Sequence, residues 1–191
     1  MVGEAARLTA RFAAVVALLA GTAFAQTPEW VVEGSCRDGQ PHGRYELRNG
    51  IGALRVSGAF NQGKRTSSFI FWTDDGVRIA HIPYDEDARN GTLASWYDTR
   101  RASADGARRF ESSFRRGLRD GLTRTWYRNG HRRSEAEYDN GRLVKAAAWS
   151  DAGARLDDRA ARYVAQRDAA AADADYARLE ALVRQHLPRC P

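Results

Sequence analysis

Four histidines, two cysteines and a dense run of arginines are the side chains of this 191-residue sequence that could do chemistry. His42, His81, His131 and His186 stand at unrelated spacings and form no recognisable metal-binding pattern. No Gly-x-Ser-x-Gly elbow, Ser-x-x-Lys pair or Cys-x-x-Cys motif occurs. The acid groups Asp74-Asp75 and Asp85-Glu86-Asp87 sit beside turns, where Asp is favoured for backbone reasons. No catalytic residue, metal site or cofactor is expected.

The arginines are the compositional anomaly. Between Arg100 and Arg133 there are eleven arginines against three acids, a local net charge of +8. Strand alternation places part of this set beside Trp126 and Tyr127. That makes Arg115, Arg116, Arg119, Arg124, Arg128, Arg132 and Arg133, with the two rings, the candidate surface for an anionic partner. The bland alternative is a solvated face, since Lys64 and Lys145 are the only lysines and a GC-rich genome favours arginine.

The compartment narrows the partner. Arg7 and Arg11 precede an apolar run, Phe12 to Ala20, and Ala23-Phe24-Ala25 supplies a small-x-small cleavage pattern before Gln26. Residues 1–25 therefore read as a signal peptide, and the run is short of the ~20 apolar residues that span a bilayer. Export makes Cys36 and Cys190, which bracket the mature chain, a predicted disulfide. It also points away from nucleic acid, despite a sequence pI of about 9.7. Lipid or lipopolysaccharide head groups, peptidoglycan carboxylates and proteins remain as partners, in the periplasm or outside a bacterial cell.

What positions the arginines is a repeat. Trp72 precedes Gly76, Trp126 precedes Gly130 and Trp149 precedes Gly153, each by four residues, and Trp96 precedes Gly106 with a longer turn. The first copy substitutes Tyr45 and ends at Gly50. The closing glycines 50, 76, 106, 130 and 153 are 26, 30, 24 and 23 residues apart. Asn49-Gly50, Asp75-Gly76, Asp105-Gly106 and Asn129-Gly130 are hairpin signals of the primed-turn type, and the flanks alternate at period two. The expected fold is mainly β: an extended antiparallel meander of five hairpins, ten strands, over residues 26–153.

These residues resemble MORN repeats, and more closely the bacterial variant with a pattern near G-x-W-x-x-Y-x-x-x-G. The likeness runs from about Gly34 to Gly153. It is best where Gly121, Trp126, Tyr127, Asn129, Gly130, Tyr138 and Gly141 fall in place, and poorer in the first copy and in the third, whose turn is extended by Thr99–Ala104. The resemblance implies a structural and binding repeat with no catalytic residues to carry over, and its bacterial members suggest an antitoxin-like or immunity role as a second function.

After Gly153 the composition turns alanine-rich, without glycine or, until Pro188, proline. Apolar residues from Leu156 to Leu187 recur at three- and four-residue steps, which predicts an amphipathic helix within 154–191, capped by Asp157 or Asp158 and either continuous or interrupted at Ala169–Asp175. A continuous helix of ~32 residues reaches about 48 Å, and ten strands span about 43 Å. The helix can thus cross the whole sheet and deliver Cys190 to Cys36, clasping the array. The functional expectation is a non-catalytic exported protein that binds an envelope partner through its arginine and aromatic face. An envelope enzyme with an unrecognised carboxylate or histidine site is the contrasting class.

Overall fold

The computed structural model describes residues 30–98 and 107–191. The expected signal peptide, 1–25, and the turn glycine Gly106 lie outside the described residues. The strands are β1 (Trp30–Arg37), β2 (Gln40–Asn49), β3 (Leu54–Asn61), β4 (Lys64–Trp72), β5 (Arg78–Asp85), β6 (Ala88–Arg89), β7 (Gly91–Trp96), β8 (Arg108–Arg115), β9 (Leu118–Trp126), β10 (Arg132–Asp139) and β11 (Arg142–Ala148). They form one open antiparallel meander in which neighbours in sequence are neighbours in space, with the two-residue β6 pairing off the path to β5. One helix, α1 (Asp158–Gln185), follows.

Two turn types alternate along the meander, and the sequence reading had them partly reversed. Asp38-Gly39, Gln62-Gly63, Glu86-Asp87, Arg116-Gly117 and Asn140-Gly141 each have positive φ at both residues, the signature of the two-residue primed turn. At the Trp-to-Gly turns among the described residues only the glycine is left-handed. There Gly76 N donates to Thr73 O and Thr73 N to Val77 O, a tight turn closed by a bulging glycine. Gly130 and Gly153 repeat this pattern, and in the first copy the equivalent residue is Gly52, not Gly50: Gly52 N donates to Asn49 O. That shift of two residues accounts for the apparent shortness of the first copy.

The first four of these turns are each followed by a second irregularity that inserts one residue into the strand after the turn. Trp126 pairs with Arg132 but Thr125 pairs with Ser134, leaving Arg133 extra. Arg55, Ile79 and Arg109 are the extra residues at the corresponding places in β3, β5 and β8. Such a bulge re-aims a side chain relative to strict alternation.

The helix covers one sheet face. Across that face run Leu47, Val56, Phe71 and Ala80, then Ser95, Phe110, Thr125 and Ser134, paired strand to strand. Below them Tyr45, Phe60, Phe69 and Tyr84 stack edge to face, with ring centroids 5.4, 5.4 and 5.5 Å apart in succession. Such pairs contribute about 0.5–1.5 kcal/mol each beyond their burial. Gly58 makes room for this stack, because a Cβ there would sit 2.7 Å from the Phe69 ring.

Helix α1 is continuous through the alanine run, capped by the Asp157 carboxylate, which accepts from Ala160 N at 2.9 Å. It buries Ala161, Ala165, Ala169, Ala172, Tyr176 and Val183. Small residues in its first half let it approach β10 and β11, where Ala165 and Ala169 pack on Ala136 and Tyr138. In the second half Tyr176 and Val183 join the aromatic core. At the far end Tyr45 Oη donates to His186 O at 2.9 Å and the His186 ring lies 5.0 Å from Trp30. The tail then passes over β1 so closely that a Cβ on Gly34 would fall 2.6 Å from Pro188 Cγ. Cys190 reaches Cys36 in a disulfide with a sequence separation of 154. The clasp expected from element lengths is present, and a disulfide belongs to an oxidising, extracytoplasmic compartment. No helix among the described residues is long and apolar enough to cross a membrane.

Candidate functional site

The arginine set divides between the two faces of the sheet. On the uncovered face Glu111, Arg124 and Glu135 stand directly opposite one another on β8, β9 and β10. Arg124 Nε donates to Glu135 Oε2 at 2.9 Å, Arg132 Nη1 reaches the same oxygen at 2.5 Å, and Arg108 pairs with Glu111. The Arg124 hydrogen bond, aided by Arg132, holds the Glu135 carboxyl below its usual range although partial burial acts against it. The Arg132 guanidinium also lies 5.3 Å from the Trp126 ring centroid, and Arg115 pairs with Asp120 at 2.6 Å. A similar group occupies the other end of this face, where the nearly buried Glu46 takes both Arg44 and Arg48. Burial works to raise the Glu46 carboxyl, but hydrogen bonds from the two arginines outweigh it and the net shift is downward.

Arg119, Arg133 and Tyr127 turn the other way, so the nine candidate residues do not share one face. Arg119 forms a two-pronged pair with Asp173 of the helix, at 2.8 and 2.9 Å. Arg133, the bulged residue, donates to Asp168 at 2.8 Å and lies 5.0 Å from the Tyr127 ring. The sequence reading grouped Arg132 and Arg133 in one candidate surface, but the inserted residue sends Arg133 to the helix side while Arg132 stays on the uncovered face. Tyr127 is a repeat device: its hydroxyl donates to Trp149 O at 2.9 Å, as Tyr97 does to Trp126 O at 2.7 Å.

Four helix acids, Asp168, Asp173, Asp175 and Glu180, and five sheet arginines, Arg65, Arg89, Arg109, Arg119 and Arg133, thus make a seam that the sequence reading missed. Glu180 accepts from Tyr84 Oη at 2.5 Å and Arg89 Nε at 2.9 Å, and Arg89 also reaches Asp173. Burial tends to raise the Glu180 carboxyl, and the Arg89 and Tyr84 hydrogen bonds override it, leaving it below the usual range. Asp175 takes Arg109 at 2.8 Å, and Asp168 also accepts from Thr125 Oγ1. The signal was present as Asp168, Asp173, Asp175 and Glu180, five, two and five residues apart on the helix, opposite sheet arginines whose register was unknown.

Arg116 and Arg128 are the members of the candidate set with no carboxylate partner among the described residues; Arg128 stacks over Tyr97 at 4.6 Å. Trp72, Trp96 and Trp149 sit at strand ends beside their turns, with Arg78 4.2 Å from the Trp96 centroid. The histidines stay apart: His81 bonds Ser68 Oγ at 2.8 Å, His131 approaches Asp151 O, His42 lies at Gln62 N, and His186 packs on Trp30.

Between the helix and the bulged ends of β5, β8 and β10 lies a cavity of about 660 Å³. Its space arises because both walls are small there, Ala80, Ser95 and Thr125 on the sheet and Ala171 and Ala172 on the helix. No protein-family model and no curated protein matches the chain.

Proposed function

We propose that this is a non-catalytic, exported binding protein of the MORN-repeat type that docks a protein partner in the cell envelope through the uncovered face of its sheet. The observation that supports it is the division of labour between faces: helix and disulfide occupy one, while the other presents rows of side chains across ten strands to solvent. The chemistry of that face favours a protein over a polyanion. Its arginines alternate with glutamates, in the run Arg108, Glu111, Arg124, Glu135 and Arg132. A lipid or polysaccharide polyanion would have to displace these carboxylates, whereas a protein can match both signs and pack on the half-exposed Leu122 and Trp126. An immunity or antitoxin-like role is one instance of this reading.

A photo-crosslinking residue at Leu122, on the uncovered face, should capture one discrete protein adduct in envelope preparations, and that adduct should disappear with Arg124→Glu. The same residue at Tyr163, exposed on the outside of the helix, should capture none. Adducts from Tyr163 alone, or sedimentation with anionic vesicles that Arg124→Glu abolishes, would contradict the reading.

A further inference from the structure

We infer that the cavity beneath the helix is a binding site for a small monoanionic amphiphile: an aromatic or short alkyl body carrying one carboxylate or sulfonate. Its volume of about 660 Å³ falls within the usual range for small-molecule sites, ~300–1,000 Å³. The inference does not depend on the docking face, which lies on the other side of the sheet.

The repeat builds this site. Each bulge turns an extra residue to the helix side, and three of the four, Ile79, Arg109 and Arg133, line the cavity. Phe110, Tyr97 and Leu179 supply apolar wall, so the body of the ligand is an apolar one. Tyr176 adds a ring whose hydroxyl is buried beside Ser95 without a hydrogen-bond partner at good geometry, a polar group that the surrounding fold leaves unsatisfied.

The charges select the sign and the number. Four arginines line the cavity, Arg109, Arg128, Arg133 and Arg178, against Asp98, Asp168 and Asp175, which leaves one positive charge in excess. Asp168 holds Arg133, and Asp175 holds both Arg109 and Arg178. Arg128 alone among the four has no carboxylate partner among the described residues. Its guanidinium lies over the Tyr97 ring at the rim, 4.6 Å from the centroid, with no hydrogen-bond acceptor for its side chain among the described residues. A single anionic group at Arg128 with an apolar body directed inward completes the arrangement, and a dianion would meet the aspartates.

Fluorescence titration of the mature, disulfide-bonded protein tests this with two probes, anilinonaphthalene sulfonate and its uncharged relative phenylnaphthylamine. Both should bind with one-to-one stoichiometry. Arg128→Gln, a rim substitution that leaves the core untouched, should weaken the sulfonate about tenfold, the worth of one charge-assisted contact, and leave phenylnaphthylamine unchanged. Ala171→Phe, at an exposed helix position on the rim, should weaken both by narrowing the entrance. Circular dichroism melts of both variants should match the parent. The inference is overturned if neither probe binds the folded parent, if Arg128→Gln weakens the two probes equally, or if binding survives Ala171→Phe undiminished.

Discussion

Replacing both cysteines, as Cys36→Ser with Cys190→Ser, removes the covalent part of the clasp and leaves its packing. The two residues are separated by 154 positions, so the bond closes a loop around almost all of the described residues. For a loop of that size the restriction of the unfolded chain corresponds to about 5 kcal/mol. In a domain of this length that loss lowers the melting temperature by roughly 10–20 °C. The helix should nevertheless stay docked, because the Tyr45 hydrogen bond to His186 O, the seat of Pro188 on Gly34 and the acid–arginine seam do not involve sulfur. The assay is urea unfolding followed by tryptophan fluorescence and far-ultraviolet circular dichroism, on the double variant and on the parent with and without reductant. Parent with reductant and the variant should coincide, both native-like before the transition. A loss below about 1 kcal/mol would refute the view that this bond constrains the whole array.

Other substitutions separate the remaining contributions. Tyr176→Ala should cost about 3–5 kcal/mol by emptying the junction of helix and aromatic core, whereas Tyr176→Phe, which removes an unpartnered hydroxyl, should be close to neutral in the same unfolding assay. Ser67 has φ +61°, a left-handed value at a site where Gly43, Gly91 and Gly121 stand in the companion strands, so Ser67→Gly should raise stability by about 0.5–1 kcal/mol. Glu180→Gln should cost about 2 kcal/mol at neutral pH by weakening charge-assisted bonds to Arg89 and Tyr84. The Glu180 carboxyl titrates below its ordinary value, so its stabilising effect is complete above about pH 4.3 and is lost as pH falls through the lower folded-state value. Urea midpoints of the parent should therefore fall more steeply than those of Glu180→Gln over that acid range.

Much of the fold was legible because its cues are local. A tryptophan four residues before a glycine marks a strand ending in a tight turn, and the alanine-rich stretch without glycine or proline marks a helix. Lengths and two cysteines then sufficed to place that helix across the sheet. The candidate site was less legible, for two physical reasons. A one-residue bulge reverses the side a residue faces, so Arg133 went to the helix while Arg132 stayed outside. A charge excess along the sequence also says nothing of partners brought from fifty residues away, as Asp173 is to Arg119. The cavity left no periodic signal, because it comes from small side chains on two elements that meet only in the folded chain.

The central claim, that one face is committed to the clasp and the other docks a partner, is tested most directly by hydroxyl-radical footprinting of the disulfide-bonded protein before and after addition of its crosslinked partner in purified form. Protection should appear at Leu122 and Trp126, on the uncovered face, with Tyr163 and Leu187, exposed on the helix and the tail after it, unchanged. Protection confined to Tyr163 and Leu187 would contradict it.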